Sequence, residues 1–110
     1  MEVKFYKKRS GREPVYEFLA EQSKEIRTGF LDAIESLADG EKLKMPLSRS
    51  LPGIYPGLHE LRLKDRSGQF RFFYWIKIGE AVFFMHAFHK KTQELPRKEI
   101  DLVIRRIKEL

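Results

Sequence analysis

A chain of 110 residues holds one compact domain with one core, and burying that core hides roughly two-thirds of the surface the unfolded chain exposes. Nine Phe, four Tyr and one Trp supply large buriable groups, while the lack of Cys excludes disulfides, thiolate metal sites and cysteine nucleophiles. The net charge of +6 is one-sided: residues 1–57 carry ten Lys and Arg against nine Asp and Glu, and residues 58–110 carry twelve against seven. That balance favours a polyanionic partner, nucleic acid or an acidic protein surface, over the plainer reading of a soluble basic surface.

Met1 to Tyr6 lacks an apolar stretch of the secretory kind, and Arg71, Lys77 and Glu80 interrupt the longest apolar runs. The expectation is a cytoplasmic protein with no membrane association. Val3 and Phe5 alternate with polar neighbours as a first strand, ended by Lys7-Lys8-Arg9-Ser10-Gly11. Pro14 opens a helix whose Val15, Phe18 and Leu19 share a face, and Ser23 caps a second with an apolar stripe of Ile26, Phe30, Ala33, Ile34 and Leu37, stopped at Gly40. The two are expected to form an antiparallel hairpin.

Pro46, Pro52, Gly53, Pro56 and Gly57 mark residues 42–57 as a connecting loop, whose Lys42, Lys44 and Arg49 more simply solvate it than line a ligand. Leu58–Lys64, Gln69–Ile78 and Ala81–His89 then form a β-meander around the turns Asp65-Arg66-Ser67-Gly68 and Gly79-Glu80. Pro96 opens a last helix with Ile100, Val103, Ile104 and Ile107 on one face and Arg105, Arg106 and Lys108 on the other. No repeat or second domain is visible: the expectation is a single α+β domain over residues 1–110, ordered β-α-α-β-β-β-α, with an antiparallel sheet packed against helices.

Turn chemistry then fixes a register. With a turn centred on Arg66-Ser67, Leu63 pairs with Phe70, Leu61 with Phe72, and Arg62 with Arg71; across the next turn Arg71 faces Phe88 and Phe73 faces His86. The apolar pairs share one face, and the arginines share the other with Phe88, His86 and Lys90. Like charges directly opposed across a sheet cost tenths of a kcal/mol up to about one, so the pairing gains the fold nothing. Glu60, on the same face, could bridge both guanidiniums, yet one carboxylate cannot neutralise Arg62, Arg71, Lys90 and Lys91, and an anionic ligand is the better reading. A phosphodiester fits, since guanidiniums bind its oxygens bidentately and stabilise the added charge of a pentacoordinate transition state.

Phe88 reads equally as a core side chain or as a platform for an unstacked base. His86 and His89, three apart on one strand, point to opposite faces and cannot jointly bind a metal. Alternation gives His86 to the basic face, and His89 reaches it only if the strand ends or bulges; for both, and for His59, ordinary structural roles outweigh acid–base work. Gly-rich phosphate loops, nuclease-type carboxylate clusters and nucleophile elbows are missing, so any catalysis is expected to need neither metal nor cofactor.

The blocks Leu58-His59-Glu60-Leu61-Arg62, Gln69-Phe70-Arg71-Phe72-Phe73-Tyr74, His86-Ala87-Phe88-His89-Lys90-Lys91-Thr92-Gln93 and Pro96-Arg97-Lys98-Glu99-Ile100, in this order, resemble the phage-derived, HigB-type branch of the RelE/ParE toxin superfamily. The resemblance covers nearly the whole chain. It implies a RelE-like fold and the toxin of a type II toxin–antitoxin pair, an endoribonuclease cutting mRNA, often on the translating ribosome. The family's basic cleft falls on Arg62, Arg71, Lys90 and Lys91, with Glu60 or a histidine as a proton acceptor and Phe88, His86, His89 and Lys64 toward RNA. Where relatives often have Trp before Glu-Leu-Arg this chain has His59, and where many have Gly before Phe-x-Lys-Lys it has Ala87. The implied partner is a helix-turn-helix antitoxin, through which alone operator DNA is bound. Two rivals stand beside this reading: a ParE-like poison of DNA gyrase, and a passive RNA-binding module.

Overall fold

The computed structural model describes residues 1–77, 79 and 81–110. In chain order the elements are β1 (Glu2–Phe5), α1 (Pro14–Ala20), α2 (Lys24–Ala38), β2 (Ser48–Ser50), β3 (Leu58–Asp65), β4 (Gly68–Lys77), β5 (Ala81–Lys90) and α3 (Arg97–Lys108). The five strands form one sheet in the order β1-β5-β4-β3-β2. The chain is thus α+β, with two departures from the expected plan. A short strand, β2, lies inside the segment expected to be loop, paired antiparallel to β3. The sheet is also mixed, because β1 runs parallel to β5, while α1 and α2 carry the chain from β1 to β2 at the opposite edge.

The helix ends follow local chemistry. Pro14 takes the first position of α1, and Ser23 Oγ accepts the Ile26 N–H at 3.2 Å to cap α2. Gly40, at φ +84, closes α2: its N–H meets Leu37 O and the Glu41 N–H meets Ser36 O, both at 3.0 Å, the paired bonds of a Schellman stop.

Period-two alternation divides the core between the two faces of the sheet. On the first face Val15 and Leu19 of α1 and Ile26, Phe30, Ala33 and Leu37 of α2 pack on Leu61, Phe70, Phe72, Tyr74, Val82 and Phe84. On the second, Val103 and Ile107 of α3 pack with Leu51, Leu58, Phe73, Met85 and Phe88. Arg106, expected on the outer face of α3, is buried instead: one guanidinium nitrogen donates to Met85 O at 2.9 Å, and the group lies 4.8 Å over the Tyr6 ring.

The expected register of β3 against β4 is found throughout, Arg62 opposite Arg71 included. Between β4 and β5 a bulge intervenes. Lys77 pairs with Ala81 and Tyr74 with Phe84, but Phe73 pairs with His86, leaving Met85 as the extra residue. Two offsets therefore cancel: the pairing next to the turn differs by one residue from a two-residue Gly79-Glu80 turn, and the bulge restores Arg71 opposite Phe88. The Gly79-Glu80 turn expected from sequence itself rests partly on Ile78 and Glu80, outside the described residues.

Candidate functional site

On the second face the register lays out a grid. One row across the strands is Arg49, Glu60, Phe73 and His86; the next is Arg62, Arg71 and Phe88; the third is Lys64, Gln69 and Lys90. The segment 91–96 and α3 cover the β5 side, while along β3 Leu58 and Glu60 are buried and Arg62 and Lys64 reach solvent.

Glu60 organises the open part. Its carboxylate, 2% exposed, lies 3.2 Å from Arg49 Nε and 3.8 Å from Arg62 Nε through one oxygen, and 3.6 Å from Arg71 Nε through the other. The Arg71 side chain is 4% exposed, yet it forms part of the floor of a groove. Its Nη2 donates to Gln69 Oε1 at 2.8 Å and its Nη1 to Phe70 O at 3.3 Å, which fixes the plane of the guanidinium. Burial lowers the Arg71 pKa more than the facing Glu60 raises it.

The groove, about 490 Å³, runs between Arg62 and Arg71 on one side and Lys90, Lys91, Thr92 and Gln93 on the other. The Lys90 ammonium is anchored on Gln93 O at 2.7 Å, and its pKa is lowered, by burial first and then by the Arg71 charge. A neighbouring cavity of about 350 Å³ continues past Arg49 and Glu60. Five cations, Arg49, Arg62, Arg71, Lys90 and Lys91, line the two together against the carboxylates of Glu60 and Glu94. The positive excess in a concave, partly dehydrated setting suits an anion with several oxygens.

Of the residues expected from sequence, Arg62, Arg71, Lys90, Lys91, Glu60 and Lys64 lie on or beside this face; Arg49, expected rather to solvate a loop, and Gln69, given no role, lie there too. Arg49 sits on a strand of three residues, too short to show periodicity between prolines. Three aromatic assignments are corrected. Phe88 is only 8% exposed and packs against Phe73 and His86 in the α3 core, so it offers no free ring to a base. His86 is buried under α3: Arg106 Nη1 faces its Nδ1 at 3.3 Å, so Nε2 carries the proton donated to Glu99 at 2.8 Å, and burial holds the imidazole below its usual pKa. His89 stays on the opposite face, its ring stacked 4.6 Å from that of Phe70; the bulge lies before His86 and does not turn it over. His59 is also on that face, stacked on Tyr74 at 5.1 Å with its pKa lowered by burial.

A family model described as "Phage derived protein Gp49-like (DUF891)" matches residues 17–108. The chain belongs to this family, a RelE/ParE-like toxin family of toxin–antitoxin systems. Membership implies an antitoxin partner. No curated protein matches the chain. Among the described residues no helix is long and apolar enough to cross a membrane, and no group of three or more His, Asp or Glu could hold a metal ion.

Proposed function

We propose that the chain is a HigB-type toxin of a type II toxin–antitoxin pair: a metal-independent endoribonuclease acting on mRNA in the cytoplasm, at the ribosome. The observation that carries this reading is the direct cross-strand pairing of Arg62 with Arg71 at an open groove that also receives Lys90 and Lys91. A sheet places like charges opposite one another at a cost, and a bound phosphodiester repays it.

In the proposed step Arg62 and Arg71 hold the scissile phosphate. The substrate's 2′-hydroxyl gives its proton to water as its oxygen attacks phosphorus, and the bond to the 5′-oxygen breaks as that oxygen takes up a proton from water, giving a 2′,3′-cyclic phosphate and a 5′-hydroxyl. The guanidiniums stabilise the charge that grows on the equatorial oxygens, and Lys90 or Lys91 stabilises the departing 5′-oxygen. Glu60, enclosed by three guanidiniums, serves as a positioning residue that holds the arginines in their fan. The helix-turn-helix antitoxin implied by the resemblance silences the toxin and alone carries it to operator DNA.

The test is brief induction of the full chain, followed by sequencing of RNA ends. New 5′-hydroxyl ends in mRNA are expected, and Arg62→Ala is expected to remove them while the protein still melts cooperatively. Arg71→Ala is the poorer probe, because it also strips a buried partner from Glu60. A DNA-damage response with intact mRNA would shift the reading to gyrase poisoning. Salt-sensitive RNA binding with no cuts, even on ribosomes, would shift it to a passive module.

A further inference from the structure

With Phe88 buried, the groove holds a phosphate but shows no obvious seat for the adjoining base. A hollow on the outer side of Arg62 supplies one. β2 begins only at Ser48, opposite Leu61, whereas β3 continues to Asp65. Past the hydrogen bond from Arg62 N to Leu47 O (2.7 Å), the outer edge of β3 meets no strand among the described residues. There a hollow of about 370 Å³ opens, walled by Pro46 and Leu47 and bounded by Lys64, Gln69, Arg62 and Arg71. Arg62, Arg71 and Gln69 also line the phosphate groove, so one bound nucleotide reaches both spaces.

The chemistry of the hollow selects its occupant. A bare anion gains nothing from Pro46 and Leu47, and an aliphatic group gains nothing from two guanidiniums. A nucleobase has apolar faces and a polar rim, and matches both. The rim is rich in donors as well. Gln69 Oε1 already accepts from Arg71, which leaves one lone pair against two N–H donors on the amide, and the exposed Lys64 ammonium adds further donors. Donors meet both neighbouring acceptors of guanine, O6 and N7, or the O4 of uracil, whereas adenine and cytosine set an amino donor beside their acceptors and take fewer such bonds.

Resting on the ribonuclease reading above, we infer that the Pro46–Leu47 hollow is a base subsite that prefers guanine or uracil next to the cut phosphate, with Gln69 reading the base. Arg71 thereby has a second role, orienting the amide.

The test compares cut positions, mapped by sequencing RNA ends after induction, for the wild type, Gln69→Leu and Leu47→Asp. Leu47 is partly exposed, so its substitution leaves the core intact. The wild type is expected to cut next to G or U over A or C by about three- to ten-fold, the worth of one or two neutral hydrogen bonds. Gln69→Leu is expected to flatten that ratio, and Leu47→Asp to lower cutting overall by repelling the strand. Should the wild type cut without a keto preference, or should Gln69→Leu keep the wild-type ratio, the subsite is overturned while the ribonuclease stands. Should the wild type leave no cuts, the ribonuclease reading fails first and takes the subsite with it.

Discussion

Replacing Glu60 by Gln keeps the shape of the side chain and removes the charge around which the site is built. Its three guanidinium contacts, at 3.2, 3.8 and 3.6 Å, are each worth about 4–5 kcal/mol at an effective dielectric near 20. These attractions do not simply add. Arg49 is 47% exposed and Arg62 31%, so water screens most of their share, down to about 1 kcal/mol or less each. The contact with Arg71 is buried at both ends, and removing one partner of such a pair costs about 3–5 kcal/mol. That is the loss expected at neutral pH for Glu60→Gln. At about 4 °C per kcal/mol for a chain of this size, the midpoint of thermal unfolding falls by about 12–20 °C. Urea unfolding of Glu60→Gln, Arg71→Met and the double variant reads the effect as a thermodynamic cycle. The double variant, with neither charge left stranded, is expected to be more stable than the sum of the singles by at least about 2 kcal/mol. A Glu60→Gln protein within about 1 kcal/mol of wild type, or strict additivity, would refute the claim that this carboxylate holds the arginines in place.

Other expected outcomes follow from the same packing. Phe88→Ala is expected to cost about 3–5 kcal/mol in urea unfolding, because the ring fills space against Phe73 and His86; a change below about 1 kcal/mol would return Phe88 to the surface. The lowered pKa of His86 makes stability pH-dependent in a definite direction. The unfolded chain takes up a proton near 6.5 and the folded chain only at lower pH, so this contribution is complete above that value and fades as pH falls below it. His59 adds to the trend for the same reason. His86→Gln is therefore expected to flatten a melting-temperature profile between about pH 7 and 5, and an unchanged slope would count against the assignment. Gly68, at φ +140, has no room for a Cβ beside the His89 ring; Gly68→Ala is expected to lower stability by about 1–3 kcal/mol and to displace the imidazole from Phe70, visible as a shift of its ring protons. For RNA binding, Lys91→Ala is expected to reduce the slope of log affinity against log salt by about 0.7, one phosphate contact on a single strand.

Local rules carried much of the structure. Ser23, Pro14 and Gly40 set helix boundaries through hydrogen bonds and backbone angles that span a few residues. The Arg66-Ser67 turn fixed β3 against β4, because a two-residue turn leaves the register no freedom, and with it the Arg62–Arg71 pair is legible in the sequence. Two of the blocks that resemble RelE/ParE toxins sit on those same paired strands, and the other two run along the end of β5 and the start of α3.

What a face meets is another matter. Alternation assigned Phe88 and His86 to the basic face, and they do lie on it, but α3 covers that end of the sheet and turns both into core. Arg106 belongs to the polar side of its helix by composition, yet the docked helix brings it over Tyr6 and Met85 O. Arg49 joins Glu60 only because a three-residue strand from a proline-rich segment lands on the edge of β3. The sequence determined which side chains share a strand face, since that depends on period and turn alone. Only the tertiary structure decided which of them stay in water, since burial depends on where a distant helix or edge strand comes to rest.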